Sequence, residues 1–115
     1  MRWFSWEPGR QGGGYFKMLL ATSPFPLGWD LYLIKFPSGS YISDHQDPVK
    51  DGRHHRLNIT LWRPMKGGDF LCEPEGLVLT FGRVVLFRPD VATHSVTEIT
   101  EGWRLVLSCG FVLPR

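Results

Sequence analysis

The sequence predicts an all-β domain, and three observations carry that prediction. Thirteen glycines and nine prolines punctuate short segments rich in Val, Leu, Ile, Phe and Trp. Apolar residues nowhere recur at helical spacing for more than two turns. Two segments, "RLNITLW" (56–62) and "WRLVLSCG" (103–110), alternate residue by residue as strands do. The turns "PSG", "PEG", "RPD" and "TEG" fall at nearly regular intervals, as in a sandwich or barrel.

Taken in order, "RQGGGY" (10–15) is a flexible turn or a close backbone approach. No helix-forming segment follows it, which excludes a phosphate loop. The predicted strands are "YFKMLLA" (15–21), "DLYLIKF" (30–36), "YIS" (41–43), "RLNITLW" (56–62), "DFLCE" (69–73), "LVLTF" (77–81), "RVVLF" (83–87), "HSVTEI" (94–99) and "WRLVLSCGFVL" (103–113). In "RLNITLW" one face carries Leu57, Ile59 and Leu61 and is read as core. The other carries Arg56, Asn58, Thr60 and Trp62 and is read as polar. In the last strand Leu105, Leu107 and Cys109 share a face, while Arg104, Val106 and Ser108 point the opposite way. An arginine within an apolar strand must meet an anion or solvent, because burying it unpaired costs several kcal/mol.

The 115 residues suffice for one hydrophobic core, so one domain and one site are expected. No apolar run approaches the roughly 18 residues of a membrane span. The N-terminal "MRWFSWEPGR" lacks the apolar stretch of a signal peptide, so a cytoplasmic location is expected. Cys72 and Cys109 fall short of a disulfide framework and are read as reduced, small, buried hydrophobes. A formal charge of +2 admits an acidic partner without requiring one.

The segment "SDHQDPVKDGRHHR" (43–56) holds three of the four histidines. His45 and Asp47 form an H-x-D pair, which an extended chain projects to one side. The pair alone is weak, since a chain of this composition contains one by chance about one time in five. His94 and Arg104 strengthen it. Two histidines and one carboxylate supply three ligands on one face of an octahedral ion and leave three positions open, the arrangement suited to non-haem Fe(II) oxygen chemistry. A 2-oxo acid would fill two of those positions and O₂ the third. The distal carboxylate of such a cosubstrate wants a two-pronged cation.

"FPSGSYISDHQD", "GGDFLCE" and "GRVVLFRPDVATHSVTEITEGWRLVLSCGF" together resemble the Fe(II)/2-oxoglutarate-dependent dioxygenase superfamily, in the manner of a small prolyl-hydroxylase-like member. The likeness runs from residue 36 to 111, with H-x-D, a Gly-Gly segment, Gly-Arg before a strand, a distal His and an Arg ten residues later in order. The resemblance implies a double-stranded β-helix, or jelly roll, with residues 30–113 as its core and 1–29 as an N-terminal covering segment. It implies His45, Asp47 and His94 as catalytic iron ligands and Arg104 as the partner of the 2-oxoglutarate carboxylate. The implied reaction oxidises 2-oxoglutarate to succinate and CO₂ while a substrate is hydroxylated, with ascorbate as a supporting reductant. With Asp47 present, hydroxylation or oxidative demethylation is expected rather than halogenation. The alternative is a cupin-like domain that binds metal or ligand without turnover.

Phe36 stands where some members carry a Tyr, so a second cosubstrate contact must come from Asn58, Thr60 or Ser108. Arg56, Tyr15, Arg10 and Trp62 are the candidate substrate contacts, with Arg10, Gln11, Tyr15 and Lys17 beside the glycine turn as a lid or an edge strand. Arg53, His54 and His55, which with Arg56 could line the site mouth and hold an acidic substrate, are read as a solvated basic loop, Asp44 as a surface carboxylate and Tyr41 as core. The substrate is expected to be a small molecule, peptide or protein rather than nucleic acid. The outer sheet face, which helices usually cover in the family, must be covered by "RWFSW" or by a symmetric partner subunit.

Overall fold

The structure, a computed structural model, describes residues 4–23, 28–47 and 52–113. Among the described residues the strands are β1 (Trp6–Pro8), β2 (Phe16–Ser23), β3 (Trp29–Phe36), β4 (Ile42–His45), β5 (Arg53–Trp62), β6 (Phe70–Cys72), β7 (Leu77–Phe81), β8 (Val84–Phe87), β9 (His94–Val96) and β10 (Arg104–Leu113). One 3₁₀ turn, Pro74–Gly76, is the sole helical element among them. No helix there is long and apolar enough to cross a membrane.

Two antiparallel sheets face each other. The large one runs β1-β2-β3-β10-β5-β8-β7 and the small one β4-β9-β6. β10 pairs with β3 on one side and β5 on the other, so the last strand lies at the centre of the large sheet. This order is compatible with the jelly roll. Each predicted strand has a counterpart. β5 begins three residues early, because Arg53, His54 and His55 pair with Leu113, Val112 and Phe111 instead of forming a loop. β1 was not predicted; it pairs Trp6 with Met18 and continues the sheet at its edge.

The core fills one end of the space between the sheets. Phe36 and Val106 from the large sheet meet Val96 from the small one, and Tyr15 and Ile99 close the cluster. Burying each such side chain contributes about 1.5–3 kcal/mol. Tyr15 stacks on Phe36 at 5.5 Å between ring centroids. Gly9 makes room for it, since a β-carbon there would overlap the Tyr15 ring. Tyr41, expected in the core, is exposed because it lies just before β4, outside the sheet ladder. Cys72 and Cys109 are free but only half buried.

The apolar face of β5, read as core, is the outer one, and the polar face is the inner one, as the parity of Arg56 with Asn58 requires if it is to approach the metal site. Arg56 and Asn58 point into the space between the sheets, while Leu57 and Ile59 line the outer face opposite Cys109 and Leu107. Leu31 and Leu33 of β3 extend that outer apolar surface. Of "RWFSW", Arg2 and Trp3 lie outside the described residues, Phe4 is exposed, and Trp6 reaches only the sheet edge beside Lys35.

Candidate metal centre

Between the sheets, walled on one side by the core residues Tyr15, Phe36, Val96 and Val106, lies a cavity of about 250 Å³. β4 and β9 pair across it, with His45 directly opposite His94. Asp47 follows β4, and its backbone N–H donates to the Pro89 carbonyl at 2.7 Å, which turns the chain back over β9. The carboxylate Oδ2 of Asp47 stands 3.6 Å from His45 Nε2 and 3.4 Å from His94 Nε2. One ligand atom from each of the three residues falls within 4.8 Å of the others.

The protonation pattern points to a cation. His45 Nδ1 lies 2.8 Å from the Ser43 carbonyl, and His94 Nδ1 lies 3.0 Å from the Ala92 carbonyl. A carbonyl only accepts, so each Nδ1 carries the proton and each Nε2 lone pair is left to face Asp47. Two lone pairs and a carboxylate aimed at one point repel unless a positive charge lies between them. An octahedral ion about 2.1 Å from each donor spaces adjacent donors about 3 Å apart, which small side-chain shifts would reach here. The donor set therefore fits Fe(II). Burial acts to raise the Asp47 pKa, but the His94 contact and the charges of His45, His94 and His54 outweigh it and hold the carboxyl below its usual range. Phe87 and Phe70 pack on the His94 ring at 5.1 and 6.2 Å, fixing its orientation.

Arg104 stands deeper in the same cavity. It is 6% exposed, opposite Phe36 on β3, with its guanidinium 5.0 Å over that ring. Burial pushes its pKa down to about 10, with Asp69 opposing weakly, so it is still a cation at neutral pH. Among the described residues no carboxylate pairs with it. A buried cation that borders a cavity without a partner is a ready receptor for an anion.

The other candidates divide. Ser108 donates to Asn58 Oδ1 at 2.6 Å and accepts from Arg56 Nη1 at 2.8 Å. Arg56 Nη2 meets both Asp30 oxygens at 2.9 and 3.0 Å. All four line the cavity, as do Arg10 and Tyr15. Thr60 shares their face opposite Val106 but does not reach the cavity, because the core occupies that end. Trp62 does not line it either. The register shifts between Leu105 and Val106, so Trp62 pairs with Leu105 on the outer face and stacks on Trp103 at 5.4 Å. The bulge at Leu61 cancels the parity that would have carried Trp62 inward.

One residue of the site escaped sequence reasoning and one was read the wrong way. His54, read as solvated loop over a place at the site mouth, lines the cavity, and its buried Nδ1 has no hydrogen-bond partner among the described residues. Its parity with Arg56 was the available signal once β5 is extended. Gly110 lies opposite Arg56, and a β-carbon there would strike that guanidinium. A glycine inside a strand is a sign of such close approach.

No protein-family model matches the sequence, and no curated protein matches it. Solved structures do match. A Pseudomonas putida prolyl-4-hydroxylase is 16% identical with a TM-score of 0.70 over 96% of this chain and 78% of that one. An oxidoreductase of the 2OG-Fe(II) oxygenase family from Burkholderia pseudomallei is 19% identical with a TM-score of 0.59, over 74% of this chain but only 44% of that one. KdgF from a Halomonas species is 19% identical with a TM-score of 0.60, over 96% and 88% of the two chains. The chain thus has the double-stranded β-helix fold of the 2OG-Fe(II) oxygenases, with a His-Asp-His cluster in its cavity.

Proposed function

We propose that the protein is an Fe(II)- and 2-oxoglutarate-dependent dioxygenase that hydroxylates an organic substrate. The balance is one O₂, one 2-oxoglutarate and one C–H bond giving succinate, CO₂ and a C–OH group. One observation carries the reading. A three-donor cluster that leaves half of an octahedral ion's positions open shares its cavity with a buried arginine that has no carboxylate partner among the described residues. Bound iron supplies the activation of O₂. The chain's own residues do the rest. His45, Asp47 and His94 hold the ion from one side, and the Ser43 and Ala92 carbonyls fix their imidazole tautomers. Arg104 takes the distal carboxylate of 2-oxoglutarate, which orients the keto acid and supplies the counterion that Arg104 lacks. Asn58 and Ser108 offer the second polar contact. Phe70 and Phe87 keep water from the His94 side of the centre.

A cupin-like binder without turnover would need the three donors but has no use for Arg104. The test is succinate release from 2-oxoglutarate by the purified protein with Fe(II), ascorbate and O₂, beside the His94→Ala variant. Fe(II)-dependent release that the variant loses supports the assignment. Fe(II) and 2-oxoglutarate binding to the wild type with no release, in the presence of small-molecule substrates, favours the binder.

A further inference from the structure

We propose that the cavity mouth is an anion subsite in which Lys17, Arg10 and Arg56 hold a carboxylate or phosphate group of the substrate. The substrate would then be a small anionic molecule, an inference that rests on the oxygenase reading for its role but not for its existence. Four cations line the cavity against two carboxylates, Asp30 and Asp47. Asp47 belongs to the metal cluster, and Asp30 is taken by Arg56. Arg104 lies elsewhere. On β10 it is opposite Phe36, whereas the Arg56–Asp30 pair lies over Gly110, six residues further along. Arg56 Nη1 reaches back to Ser108, four residues from Arg104, so at about 3.3 Å per residue the two cationic positions lie roughly 13–20 Å apart along the strand. A five-carbon keto diacid bound to the metal and Arg104 leaves the other end unfilled.

Lys17 projects inward from β2 opposite Ile34, level with Val106, and its ammonium reaches 4.8 Å over the Tyr32 ring, which pairs with Ser108 beside the Arg56 guanidinium. Burial lowers its pKa, and repulsion from Arg10 and Arg56 lowers it further, while Asp30 and Asp47 oppose this. Among the described residues no carboxylate pairs with Lys17 or Arg10. Like charges gathered at a partly buried mouth are unfavourable until an anion arrives. The size of the cavity, about 250 Å³ in all, limits what enters beside the cosubstrate to a small molecule.

Inorganic phosphate is the probe. Titrated at constant ionic strength into the metal-free full chain, it should bind, as read by calorimetry and by a concentration-dependent rise in Tm. Lys17→Met should weaken that binding about tenfold or more, and Arg10→Gln, on an exposed turn where misfolding is not at issue, should weaken it measurably. Arg104→Met, which removes the deeper anion receptor, should leave this Lys17- and Arg10-dependent binding in place. Phosphate binding that survives Lys17→Met and Arg10→Gln but is lost in Arg104→Met, or no binding at all, overturns the subsite. Neither result touches the oxygenase reading, which stands or falls on Fe(II)-dependent succinate release.

Discussion

Replacing Arg104 should stabilise the metal-free protein while removing its affinity for 2-oxoglutarate. Burial of the guanidinium drives its pKa to about 10. At about 1.4 kcal/mol per pKa unit, a lowering from the ordinary arginine value to about 10 means that holding the charge there costs about 3 kcal/mol. The cation–π contact with Phe36 returns roughly 1 kcal/mol of that. Methionine fills most of the volume and keeps a favourable contact with the ring. Arg104→Met should therefore gain about 1–2 kcal/mol, a rise in Tm of about 4–8 °C per kcal/mol for a domain near this size. The cost acts at every pH below about 10, so the gain is present throughout the neutral range. Differential scanning calorimetry of the metal-free proteins measures it, with and without 2-oxoglutarate in the presence of Mn(II). The wild type should show a ligand-induced rise in Tm and the variant none. A variant that melts below the wild type and keeps the 2-oxoglutarate shift would refute both the cost and the role assigned to Arg104.

Other consequences follow from the same geometry. His94→Ala removes one of three donors and should abolish the stabilisation by Mn(II), which in the wild type should reach about 2.7 kcal/mol at a hundredfold excess over Kd. A metal-dependent shift of wild-type size in the variant would remove His94 from the site. Asp47, with its pKa held low in the metal-free fold, contributes stability that is complete above the ordinary carboxylate range and is lost as pH falls through its own lower value. Urea unfolding of Asp47→Asn against pH should accordingly lack that part of the acid dependence. Gly110→Ala drives a β-carbon into the Arg56 guanidinium and should cost about 1–3 kcal/mol. The same variant should weaken phosphate binding, and unchanged stability and binding would show that the Arg56 guanidinium can move aside without losing its contacts to Asp30 and Ser108. Trp62→Ala, on the outer face, should lose the stacking on Trp103, about 1 kcal/mol, and leave succinate release within about twofold.

Most strands were legible because short apolar runs between glycine and proline turns have few other uses in so small a chain. The faces were harder to read. Alternation in "RLNITLW" showed that two faces exist, but it could not say which is inside. Counting the apolar side as core assumes that the interior is filled. Here the interior on the metal side is a cavity that needs Arg56 and Asn58, and the apolar side faces outward. The same polar cavity explains why Ser108 is fully buried within a strand of leucines and valines.

Where parity failed, a local irregularity was the cause. Alternation assumes an unbroken ladder, and the shift at Leu105 and Val106 inserts Leu61 as an extra residue, so everything beyond it changes sides. Nothing in "NITLW" announces this, since the bulge is set by how β5 must bend past β10 and not by a glycine or proline of its own. The metal cluster is a different case. Its geometry depends on short segments, Ser43 to Asp47 and Ala92 to His94, in which each ring nitrogen is fixed by a carbonyl two residues away. Local geometry therefore fixes the two imidazoles, but the set of His45, Asp47 and His94 was legible only through the family resemblance, since the H-x-D pair alone is weak. By the same logic the anion subsite, assembled from β2, β5 and the turn before Tyr15, was visible only as scattered basic residues until the fold gathered them around one mouth.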